Sequence, residues 1–176
     1  MKYGKAQSIK DDLLDESTRS ELLTDTIRRW GWSSQPIVDR VSYVEADWIL
    51  SARRSLFADY SGLPSQLIGF SIEYESDSNG LEVPSSLASI ESFFISEGWK
   101  TKVLTDVDGN FAVYMVEDSE YSVLCGPREF VDIALPYSLE AGKMAFTSFS
   151  GEDGTVPSES QEFWIAKWDK YCINMT

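Results

Sequence analysis

The chain has no histidine and only two cysteines, Cys125 and Cys172. Without histidine there is no Ser-His-Asp or Cys-His nucleophile pair, no imidazole metal ligand and no ordinary neutral-pH general base. Two cysteines are too few for a disulfide framework or a structural zinc site, so a reduced, cytoplasmic setting is expected, with no cofactor. No run approaches the roughly eighteen apolar residues of a membrane-spanning helix. The segment from Met1 to Ser8 is charged, with no apolar stretch behind it, which argues against a secretory signal. Basic residues are also scarce. Fifteen Lys and Arg face 29 Asp and Glu, a net charge of −14 on 176 residues that are 43% apolar. That length and composition suit one globular domain.

The acidity is unevenly placed. Residues 1–54 carry nine acids and nine bases, so the whole excess lies in residues 55–176. Between Arg54 and Arg128 there are twelve acids, and the bases are Lys100 and Lys102. A field of that sign repels nucleic acid and anionic membrane and attracts a basic protein partner.

Hydrophobic periodicity predicts an α+β fold of three segments. Residues 1–62 read as helical. Ile9, Leu13 and Leu14 form one stripe, and Leu22, Leu23, Ile27 and Trp30 another, with a capping box at Thr18–Glu21. Pro36 suits the first turn of a third helix, with Val41, Val44, Trp48, Ala52, Leu56 and Tyr60 inward. Residues 66–125 read as a four-stranded, mostly antiparallel sheet with one helix crossover. Ile68, Phe70, Ile72 and Tyr74 alternate with small and polar residues, as in a strand with one wet face. Ser85 or Ser86 caps a helix that carries Leu87, Ile90, Phe93 and Phe94 inward. A hairpin then turns at Asp108-Gly109, and Tyr121–Cys125 adds a strand. Residues 127–176 read as helices, the last opened by Ser158–Gln161 and lined by Phe163, Trp164, Trp168 and Tyr171.

If the strand from Leu67 to Glu75 crosses through the Leu87–Glu97 helix to a parallel strand at Lys100–Thr105, their C-terminal ends share one end of the sheet. Glu73, Glu75, Asp77 and Glu82 are then expected beside Asp106 and Asp108, as a receiver for a partner's lysines and arginines or for a divalent cation. The loop from Glu75 to Gly80 starts like an EF-hand, but Ser86 stands at the twelfth position, Glu82 replaces an apolar residue and Pro84 interrupts it. No dedicated metal site is expected. Trp32, lacking an apolar partner at helical spacing, is the expected exposed aromatic anchor.

The stretch Tyr121–Leu135, a strand, a Gly-Pro break and an amphipathic helix, resembles segments of bacterial toxin-system immunity proteins, as does the small, acidic, tryptophan-rich, cysteine-poor character of the chain. The resemblance implies a non-enzymatic, cytoplasmic inhibitor that blocks a basic toxin, such as a nuclease. Residues 86–125 are similar in outline to secretion-chaperone-like domains, which gives an acidic chaperone as an alternative. A carboxylate- or divalent-metal-dependent enzyme is a third reading, because two-carboxylate catalysis needs no histidine.

Overall fold

A computed structural model describes residues 4–14, 21–38, 41–57, 66–72, 80–96, 100–115, 121–148 and 160–175. The fold is α+β, built on a six-stranded antiparallel sheet in the order β1-β6-β5-β4-β2-β3. The strands are β1 (Ser33–Val38), β2 (Gln66–Ile72), β3 (Leu81–Pro84), β4 (Thr101–Asp106), β5 (Ala112–Met115) and β6 (Tyr121–Gly126). Because side chains alternate along a strand, the pairing register sorts them into two apolar faces. Leu67, Leu104, Val113 and Leu124 share one face with α3 (Tyr43–Phe57), α4 (Leu87–Ile95) and α5 (Arg128–Ala134). Ile68, Phe70, Val103, Tyr114 and Val123 share the other with α1 (Gly4–Leu13), α2 (Thr24–Arg29) and α7 (Gln161–Tyr171). Beside β1, α6 (Leu139–Thr147) puts Phe146 into the second core. Among the described residues no helix is long and apolar enough to cross a membrane.

Several expectations are corrected. The sheet has six strands, not four. Pro36 lies within β1, opposite Val123, and α3 starts only at Tyr43. A proline is tolerated there because β1 is an edge strand, whose outer side takes one bridge, Ser34 to Ile173. The Ser34 hydroxyl donates to the Tyr171 carbonyl at 2.6 Å and the Asn174 amide to the Trp32 carbonyl at 2.7 Å, which covers that edge. At the other edge, β3 escaped notice because it has four residues and ends in Pro84.

That extra strand reverses the expected topology. β2 and β3 form an antiparallel pair, so α4 connects β3 to β4 and leaves β4 antiparallel to β2. Leu67 opposes Asp106 and Ile72 opposes Thr101, so β2 runs out at the end of the sheet opposite Asp106. Nor does β2 have a wet face, since Gly69 is buried and a Cβ there would lie 2.5 Å from the Phe93 ring. On α3 the buried positions are Ala46, Ile49, Leu50, Ala52 and Arg53, while Val44 points outward. α2 begins at Thr24 after Leu23, and residues 15–20, which hold most of the expected capping box, lie outside the described residues.

Other expectations match. Ser86 caps α4 by accepting from the Ser89 N–H at 3.2 Å. The last helix opens later than the expected box at Ser158–Gln161, with Ser160 as the cap accepting from the Phe163 N–H, and Ser158 lies outside the described residues. The β4–β5 turn carries Gly109 at φ +68, where a Cβ would also sit 2.5 Å from Ile9 of α1.

Candidate functional site

Glu73, Glu75 and Asp77 lie outside the described residues. Glu82 is half-buried on β3, in register with Ile68 and through it with Thr105. Asp108 is exposed and pairs with Lys5 at 3.4 Å. Trp32 is half-buried, packed on the second core with its ring edge-on to Trp30 at 4.9 Å. Asp106 is turned inward and only 2% exposed. Its carboxylate accepts from the Asn110 backbone N–H at 2.9 Å and side-chain amide at 2.8 Å, and lies 4.0 Å from the Arg53 Nε.

Arg53 explains why that carboxylate faces the core. It continues the buried stripe of α3 as a charged residue, and its Nη1 donates to the Ser85 hydroxyl at 3.3 Å. Burial lowers its pKa, and the negative charges of Asp106 and then Asp108 oppose that shift. Asp106 therefore acts as counter-ion and turn-former. The other described acids decorate both helical layers. Asp11, Asp25 and Asp169 are on α1, α2 and α7, and Asp47, Glu91 and Asp132 on α3, α4 and α5. Among the described residues, no group of three or more Cys, Asp or Glu side chains converges as a metal site.

A different set of residues does converge. At the start of α3, Tyr43 and Val44 are about half exposed. One turn on, the half-buried Trp48 meets the Tyr137 ring edge-on at 6.1 Å. Tyr137 belongs to the short connector between α5 and α6, and beside it opens a cleft of about 370 Å³. Gln35, Arg128, Asp132, Tyr137 and Ser138 are its polar lining, and Leu135, Pro136, Leu139 and Met175 its apolar lining. The Arg128 Nε donates to both Asp132 oxygens, at 2.8 and 2.9 Å, and Nη1 donates to the Asn174 carbonyl at 3.1 Å. The Tyr137 phenol is pushed up to about 12, mainly by burial and further by the charge of Glu45, with the Gln35 amide opposing. Sequence reasoning missed this place. Its local signal was the Pro136-Tyr137 pair in a connector, and its other walls come from β1 and from Met175, far away along the chain.

Alkali is expected to unfold the protein cooperatively. The pKa values of Tyr114, Tyr121, Tyr171 and Cys125 are all raised, with burial the first cause of each. A group whose pKa is raised on folding contributes stability that is complete below its unfolded pKa, about 10 for tyrosine, and lost as pH climbs through the folded value. Urea midpoints should therefore fall from about pH 10 upward. Phenolate absorbance from these buried tyrosines should appear together with loss of the far-ultraviolet signal. Full titration of the eight tyrosines near pH 10 with the fold intact would contradict the buried placement.

Comparison with protein-family models, curated proteins and solved structures finds no significant match to this chain, so its function is read from its own residues.

Proposed function

We propose that the chain is a non-enzymatic inhibitor of the immunity type, which binds a basic bacterial toxin and covers its active cleft. The observation that carries this reading is the exposed apolar and aromatic surface of Tyr43, Val44 and Tyr137, with Trp48 between helix and connector, on a chain of net charge −14. Aromatic side chains on a rigid helix bury large area at small entropic cost and act as anchors. Glu45 and Asp47 flank them along α3. Net negative charge steers a cationic partner and accelerates its approach, while the anchors slow its departure.

The test is co-expression with any basic toxin that a neighbouring gene encodes, followed by binding kinetics at two salt concentrations. Growth should be protected, and the association rate should fall steeply with salt. Trp48→Ala should speed dissociation by about thirtyfold, the effect of losing one interface anchor. Reversing charge at Asp108 asks whether contact extends to the β4–β5 turn. Protection that survives Trp48→Ala and Tyr137→Ala together, or association indifferent to salt, would overturn the proposed surface.

A further inference from the structure

At the α5–α6 connector the cleft holds a buried donor without a well-formed hydrogen bond. Gln35 is 2% exposed, and its Nε2, whose influence falls on the Tyr137 phenol, reaches no acceptor with good hydrogen-bond geometry. It packs against α6 and the Tyr137 ring. A Cβ on Gly142 would lie 2.7 Å from Nε2 and 2.8 Å from the Tyr137 Cε2, so glycine there is what admits both groups. A buried amide without a well-formed hydrogen bond is a standing cost to the fold, and a ligand oxygen would remove it.

The surroundings specify that oxygen. Arg128 lines the cleft, and its fork is held in place by Asp132 and the Asn174 carbonyl. A guanidinium has five N–H donors, so those contacts leave others for a second carboxylate. Ser138 and Leu139, also in the lining, form the N-terminus of the nine-residue α6, the positive end of its dipole. Leu135, Pro136, Leu139 and Met175 supply an apolar wall, and about 370 Å³ suits a small molecule.

We propose that this cleft binds an α-carboxylate next to an apolar side chain, from a free amino acid or from the C-terminus of a peptide. The carboxylate lies between Arg128 and the start of α6. The Gln35 amide joins it as the Tyr137 ring, 37% exposed, turns aside. The apolar side chain packs on Leu135, Pro136 and Met175. Where the ligand has a free ammonium, Asp132 faces it. This site shares Tyr137 with the proposed partner surface, but its argument does not rest on the inhibitor reading.

Calorimetric titration of the whole chain tests it, with leucine, N-acetyl-leucine, leucinamide and acetyl-Gly-Gly-Leu as probes. N-acetyl-leucine should saturate the site, and leucinamide, which lacks the carboxylate, should bind at least about tenfold more weakly. Arg128→Gln and Gln35→Leu should each weaken N-acetyl-leucine about tenfold. Should Gln35→Leu fold poorly, Gly142→Ala is the second variant, because its methyl displaces the same amide and ring. Tighter binding of leucine identifies a free amino acid as the source, and tighter binding of the peptide identifies a chain terminus. Equal binding of N-acetyl-leucine and leucinamide, or no saturation by any probe, overturns the proposal.

Discussion

Asp106→Ala should lower the free energy of unfolding by about 3–5 kcal/mol, the scale seen when one partner of a buried ion pair is removed. The reason is that Asp106 serves two structures at once. Its carboxylate lies 4.0 Å from the Nε of Arg53, and both residues are about 2% exposed. It also takes two hydrogen bonds from Asn110, which close the β4–β5 turn. Asp106→Asn separates the roles, since an amide oxygen still accepts from the Asn110 backbone while the negative charge is gone. The asparagine variant should fall between alanine and wild type in urea denaturation. A loss below about 1 kcal/mol for alanine, the value of an exposed pair, would mean that Asp106 is not the counter-ion this packing requires.

Phe146→Ala is expected to cost a similar amount, about 3–5 kcal/mol, through a large cavity in the second core. Phe146 is 1% exposed and lies 5.3 Å from the Trp164 ring, 5.8 Å from Trp168 and 5.9 Å from Tyr121. Phe146 meets the Tyr121 and Trp164 rings edge-on, an arrangement that adds to the plain gain from burial. Phe146 also ties α6 to the body of the molecule, and α6 forms one wall of the cleft through Ser138 and Leu139. The variant should therefore lose N-acetyl-leucine binding along with stability. Asp106→Ala, which touches no residue of that lining, should lose stability and keep the binding at temperatures where it remains folded. Thermal unfolding and calorimetry on the same preparations check both halves. A Phe146→Ala variant less than about 1 kcal/mol below wild type would show that the aromatic cluster collapses to fill the gap.

Local chemistry was legible wherever it acts within a few residues. Ser86 caps its helix as expected, and the last helix takes a serine cap within the expected segment, at Ser160 rather than Ser158, because a serine oxygen satisfies a donor three residues away whatever the rest of the chain does. The Asp108-Gly109 turn was legible for the same reason, given that Gly109 needs a positive φ. What failed depended on distant partners. Pro36 is as compatible with an edge strand as with a helix start, and only pairing with β6 decides between them. The inward face of α3 was misread in part: Val41, Ala52 and Leu56 meet the core as expected, but Val44 faces out and Arg53 takes a core position, which a hydrophobic pattern counts as surface.

The same distinction governs the two sites. Net charge, the absence of histidine and the alternation of apolar residues were properties of the sequence by itself, and they sufficed for the α+β class and for a cationic partner as the expectation. Which carboxylates stand together was decided by tertiary structure alone. Four residues of β3 make the β2–β4 pair antiparallel and set the end of β2 away from Asp106. One buried guanidinium then draws Asp106 inward. The cleft draws on Gln35 of β1, the connector at residues 135–139 and Met175 near the end of the described chain, three places that lie far apart in sequence. Strand register and packing bring such residues together, and both are set by interactions summed over the whole core rather than by any local run of amino acids.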